Sequence, residues 1–233
     1  MTTPPPDPAG AGRDAGDRTR RRDALLLAAL PHVAFDGWGR ATLAAAARDL
    51  GMKAADAERH FPGGAADLVA HFSDWADRRM TAALVEHELG GMRLRDRIAL
   101  AVRTRTEALA AHREAVRRAL SWLAMPLNAL LGLRLLYRSV DAIWRAVGDR
   151  SVDFSFYTKR ALLAGVLSST VLYWLDDDSD GAAESWAFLD RRIADVMRIP
   201  RLTGRVRGAA ARLPDPFRLM RGLRGGARRF RRA

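Results

Sequence analysis

The chain has 233 residues, no cysteine and a formal net charge of +12. Its length suits one domain or one and a half, and 48% hydrophobic residues supply a packed core and exclude wholesale disorder. Without cysteine there is no disulfide, thiolate metal site, iron–sulfur cluster or cysteine nucleophile, which fits a reducing compartment.

Residues 1–17 are rich in Pro, Gly and Asp and read as a disordered lead-in. Arg20–Arg22 ahead of the apolar run Ala24–Phe35 imitates a signal peptide, but Asp7, Asp14, Asp17 and Asp23 argue against one. From about Arg18 the chain reads as helical, since Val, Ile and Thr never alternate in the period of a strand. A first helix over about 18–34 carries Leu26, Ala29, Leu30 and Val33 at three- and four-residue spacing, with Pro31 as a kink point. Short helices follow at about 41–49, stopped by Gly51, and at about 54–60, stopped by Pro62-Gly63-Gly64. A fourth helix over about 65–89 turns Leu68, Phe72, Trp75 and Leu84 inward. Helices at about 93–111, 113–124 and 127–147 come next, then one at about 154–175 with Asp153 as its N-cap. After the acidic turn Asp176–Asp180, a ninth helix over about 182–198 places Trp186, Leu189, Ile193 and Val196 on one face. The longest uncharged runs, Ala119–Leu133 and Ala161–Leu175, have 15 residues each, short of the roughly 18 a membrane span needs.

Little in this chain does chemistry. The five histidines (His32, His60, His71, His87 and His112) form no metal-binding motif, and there is no phosphate-binding loop or nucleophile elbow. No catalytic residue, metal site or cofactor is expected. The acidic turn does not have the spacing of a calcium loop and reads as solvated.

The segment from Arg22-x-x-Leu25 through Phe35-x-Gly37-Trp38, Ala44-Ala45-Ala46 and Leu50-Gly51-Met52 to His60-Phe61 resembles the DNA-binding head of TetR-type repressors. Its reading segment carries Asp56 and Glu58, which would repel phosphate, so the head has no basic face and no sequence-specific nucleic acid is expected.

The second half resembles a different family. Asn128-x-x-x-Gly132, Leu135-x-Tyr137-Arg138, Val140-Asp141-x-Ile143-Trp144, the run Asp153-Phe154-x-Phe156-Tyr157-Thr158-Lys159-Arg160 and Trp186-x-Phe188-Leu189-x-Arg191-Arg192 are similar to the COQ-nine family of coenzyme Q biosynthesis. The resemblance covers about residues 18–200 and implies a bacterial homologue. It implies an all-α, TetR-like bundle of about nine helices, organised as a head over 18–90, an apolar region over 91–200 and a tail over 201–233. It further implies a non-enzymatic accessory protein that binds an isoprenoid lipid or ubiquinone precursor and presents it to the demethoxyubiquinone hydroxylase, or an equivalent quinone-ring hydroxylase. Under the resemblance, Ile143, Asp153, Phe156, Tyr157 and Arg160 form the partner-binding patch. The residues alone also allow Asp153 as a cap and Phe156 and Tyr157 as core.

Helices six to eight are apolar on nearly every face, which demands burial, a ligand, a membrane or a second copy. The expected lipid-binding residues are Trp122, Leu123, Leu127, Leu131, Leu135, Val166 and Leu167; a packed core or homodimer interface is the other reading. The class that competes with the lipid carrier is a TetR-like transcriptional regulator with a ligand-sensing pocket.

The net charge is concentrated at the end of the chain. Residues 201–233 hold 11 Arg and one acid, whereas residues 23–200 are balanced. Arg outnumbers Lys 37 to 2, as in a GC-rich genome, so a single Arg is weak evidence for phosphate. Between Pro216 and the terminus, Leu219, Leu223 and Phe230 share one helical sector with Met220 at its edge, and Arg218, Arg221, Arg224 and Arg228 lie opposite. That pattern suits a basic amphipathic helix lying on an anionic membrane, where Gly222, Gly225 and Gly226 delay folding until binding. The expected location is cytoplasmic and peripheral at the inner membrane.

Overall fold

The computed structural model describes the backbone of residues 8–148 and 155–210 and the side chains of residues 14–148 and 158–198. Among the described residues there are nine α-helices, three short 3-10 turns and no strand. The helices are α1 (Pro8–Asp36), α2 (Arg40–Asp49), α3 (Ala54–His60), α4 (Ala65–Val85), α5 (Leu94–Glu107), α6 (Arg113–Leu123), α7 (Ala129–Ala146), α8 (Ser155–Leu175) and α9 (Ala183–Ala210). The chain divides into two compact units, Met1–Leu189 and Asp190–Ala233, and α9 runs through the division.

The spacing of apolar residues sets the first unit. Leu25, Leu26, Ala29, Leu30 and Val33 of α1 are buried, as the three- and four-residue spacing predicts, and α1 continues through Pro31. Its beginning differs from expectation: α1 starts at Pro8, ten residues before Arg18, inside the segment read as a lead-in. Ala45, Ala46 and Ala47 of α2 are buried, and their small side chains permit a close approach to α1. Gly51 ends α2 with φ +64°, and the Met52 N–H bonds the Ala47 carbonyl at 2.8 Å, so the predicted stop uses the left-handed conformation that glycine tolerates.

Trp38 fastens this head to the rest. Its indole Nε1 donates to the Ala115 carbonyl of α6 at 3.2 Å, and its ring lies 5.3 Å from that of Phe72 in α4. The end of α8 is held by α6: Arg117 donates to the Leu175 carbonyl at 2.8 Å, and Arg113 donates to the Asp177 carbonyl at 2.7 Å with its guanidinium over the Trp174 ring. Cations against carbonyls at a helix C-terminus are favourable in the helix dipole. Residues before and after position 90 lie in the same compact unit, Met1–Leu189, where α4 packs against α1, α5 and α7.

The acidic turn is structural. Asp177 is buried; burial alone would raise its carboxyl, but hydrogen bonds from Ser179 and Ser185, side chain and backbone, outweigh that and hold it well below the usual carboxylate range. His60, His71 and His112 are displaced downward, in each case first by burial. The unfolded chain therefore takes up protons before the folded one, and stability falls as pH drops below the ordinary histidine value of 6.5. Asp177 adds a second loss below its ordinary value of 3.8. Urea midpoints taken from about pH 8 to about pH 3 are expected to show a plateau above 6.5 and a decline in two stages beneath it.

Candidate functional site

An apolar cavity lies between α4, α5, α6, α7 and α8 and has a volume of about 440 Å3. Four helices supply apolar walls at helical spacing. From α6 come Val116, Ala119, Leu120 and Leu123; from α7, Gly132, Leu135 and Leu136; from α8, Leu167, Val171 and Leu172; and from α4, Val69 and Phe72. Gly132 permits the close contact of α7 with the end of α6, since a Cβ there would stand 3.3 Å from the Leu123 Cβ. Leu133 (64% exposed) and Leu172 mark where the cavity reaches the surface. Beside this mouth, Met125, Leu127 and Leu130 are exposed in and after the α6–α7 connection.

Of the residues expected to bind lipid, Leu123, Leu135 and Leu167 meet on the cavity wall. Trp122, Leu131 and Val166 stand one residue away from wall residues on their helices, and a step of roughly 100° turns them aside. Leu127 is 97% exposed in the connection. Sequence reasoning missed Phe72, Leu109, Val116, Leu120 and Arg105; the spacing of 116, 119, 120 and 123 was a usable signal for the α6 wall.

The opposite end of the cavity is polar. Arg105 of α5 and Ser139 of α7 are buried and, with Ser73 of α4, line the cavity. Behind them stands Asp77. Arg105 Nε donates to Asp77 Oδ1 at 2.6 Å, Arg105 Nη2 to Ser139 Oγ at 2.9 Å and to Ser73 Oγ at 3.2 Å, and Ser139 Oγ to Asp77 Oδ2 at 3.0 Å.

The residues expected to form the partner patch do not share one setting. Ile143 has no exposed surface in this chain and packs in the core from the inward face of α7. Arg160 is also buried, and its Nη2 donates to Asp141 Oδ1 at 2.6 Å, tying the start of α8 to α7. Phe156 and Tyr157 belong to the first turn of α8, with side chains outside the described residues, as is the whole of Asp153. The residues expected to meet a membrane, Arg218, Leu219, Met220, Arg221, Leu223, Arg224, Arg228 and Phe230, also lie outside the described residues.

The head carries more positive charge than its reading segment suggests. Arg18, Arg21 and Arg22 of α1 join Arg59 of α3, beside the imidazole of His60, around a cleft of about 900 Å3, against the two acids Asp56 and Asp67. This corrects the expectation of no basic face: the charge comes from α1, which a reading of α3 alone omits. Beyond burial, the same four arginines push the His60 imidazole downward.

These features define an all-α protein of TetR-like fold whose apolar cavity has one polar end. A TetR transcriptional regulator from Nitrosomonas europaea has the same fold, with a TM-score of 0.63 and 19% identity over 76% of this chain and 98% of that one. Residues 129–200 match the family described as COQ9. The ubiquinone biosynthesis protein COQ9 of Rattus norvegicus is 35% identical over 214 residues, covering 87% of this chain and 65% of the relative. COQ9-B of Xenopus laevis is 34% identical over 197 residues, covering 80% of this chain and 67% of the relative. The chain belongs to the COQ9 family. It spans a little under two thirds of the length of the rat relative, and that relative is named as mitochondrial. Among the described residues, no helix is long and apolar enough to cross a membrane.

Proposed function

We propose that this chain acts in ubiquinone biosynthesis as an accessory protein, holding an isoprenoid quinone precursor in the cavity between α4 and α8 and presenting it to a quinone-ring hydroxylase at a membrane surface. The observation that carries this reading is the cavity itself. At about 440 Å3 it falls in the range of small-molecule sites, its walls are aliphatic, and it opens beside exposed leucines. A chain of methyl-branched isoprene units offers such walls only apolar surface, and removing that surface from water drives binding. Exposed Met125, Leu127 and Leu130 at the mouth suit entry from a bilayer. The hydroxylase would meet the start of α8 at Phe156 and Tyr157, with Arg160 acting as a positioning residue through Asp141.

Native mass spectrometry of the purified full chain is expected to show a co-purifying isoprenoid or quinone. Ala119 is buried on the cavity wall, so Ala119→Leu would fill the space without adding a polar group. That variant is expected to fold, with a melting temperature equal to or above the parent's, and to lose the lipid. A parent chain that carries no lipid and binds none added, or an Ala119→Leu chain that carries as much as the parent, would overturn the reading.

A further inference from the structure

Arg105 is 7% exposed, yet it lines a cavity whose other walls are almost entirely apolar. A guanidinium has five N–H donors and no acceptor. Nε and Nη2 are committed to Asp77, Ser139 and Ser73, and Nη1 has no hydrogen-bond partner among the described residues. Ser73 adds another donor: its Oγ accepts from Arg105, and the Ser139 Oγ, 3.4 Å away, is too distant to be a good acceptor for its proton. Asp77 balances the charge of Arg105 from behind. The inner end of the cavity is therefore rich in donors and carries no net charge. Such a pole fits a neutral acceptor oxygen. A carboxylate would bring a second negative charge beside Asp77, and a bare hydrocarbon would leave buried donors unmatched.

We infer that Arg105 and Ser73 form a headgroup subsite for a neutral carbonyl or ether oxygen. The ligand then lies head inward, with its isoprenoid chain running toward Leu133 and Leu172 at the mouth, and its ring is kept from water until the protein releases it. The inference rests on the proposed lipid-binding reading and adds the chemistry and direction of the ligand.

Three probes with one tail and different heads test it on the full chain: farnesyl benzoquinone, the hydrocarbon farnesene and farnesoic acid. The quinone is expected to bind at least about tenfold tighter than farnesene, and the acid no tighter than farnesene. In the variant Asp77→Leu/Arg105→Met, which removes both charges together, the preference for the quinone should disappear while farnesene affinity stays. The infrared carbonyl stretch of the bound quinone should be lowered in the parent chain relative to a hydrocarbon solvent, a signature that a merely structural ion pair does not produce. Equal affinity for quinone and farnesene, tightest binding of the acid, a preference that survives in the variant, or an unshifted carbonyl would each overturn the subsite while leaving the lipid cavity standing. Failure of all three probes to bind would overturn the cavity reading as well. Should the double variant not fold, Ser73→Ala and the infrared measurement on the parent chain decide the question.

Discussion

Asp77→Ala is expected to lower stability by about 3–5 kcal/mol, the usual loss when one partner of a buried ion pair is removed. Asp77 and Arg105 are both buried, so solvent does little to screen the charge left behind. The substitution would strip Arg105 of its carboxylate and Ser139 of the acceptor for its hydroxyl proton, stranding donors from two helices at once. In a chain of this size that corresponds to a fall in melting temperature of about 10 °C or more. Removing both charges is expected to cost far less, because an apolar pair of similar volume incurs no desolvation penalty. Thermal melts of Asp77→Ala and Asp77→Leu/Arg105→Met check this. Equal melting temperatures for parent and Asp77→Ala would show that the pair is not a structural anchor. A double variant less stable than the single one would show that the surrounding serines need the charges.

The same cluster shows where sequence reading stops. Helix positions were legible because each rests on local spacing: Leu26, Ala29, Leu30 and Val33 mark the inner face of α1, and Gly51 ends α2 at positive φ. The polar pole rests on no local pattern. Ser73, Asp77, Arg105 and Ser139 come from three helices, and each of the two charges looks, within its own helix, like part of a solvated face. The cavity wall was half legible for a related reason. α8 is apolar on nearly every side and gives no phase, so Leu167 could be assigned to the wall but Val166, one residue earlier, could not be excluded from it. The head shows the same effect for charge, since Arg18, Arg21 and Arg22 meet Arg59 and His60 only once α1 and α3 pack.

Deleting residues 211–233 is expected to have the largest effect on membrane association. The cut falls after α9, which ends at Ala210, so every described helix remains. The deleted segment holds eight Arg and one Asp, together with Leu219, Leu223 and Phe230. Near an anionic surface each Arg contributes roughly 1 kcal/mol, so even five engaged side chains amount to about a thousandfold in vesicle affinity. Flotation with vesicles containing an acidic phospholipid should therefore retain the full chain and lose the shortened one. Raising the salt should release the full chain, because the attraction is screened within a Debye length. Undiminished binding by the shortened chain would overturn the assignment of membrane binding to the tail and transfer it to the exposed Met125, Leu127 and Leu130 beside the cavity mouth, whose apolar contact salt does not weaken. The two surfaces thus predict different salt responses: salt releases the tail and leaves the apolar contact in place. If both act, the tail sets how often the protein meets the bilayer, and the leucines set where on the protein a lipid chain can enter.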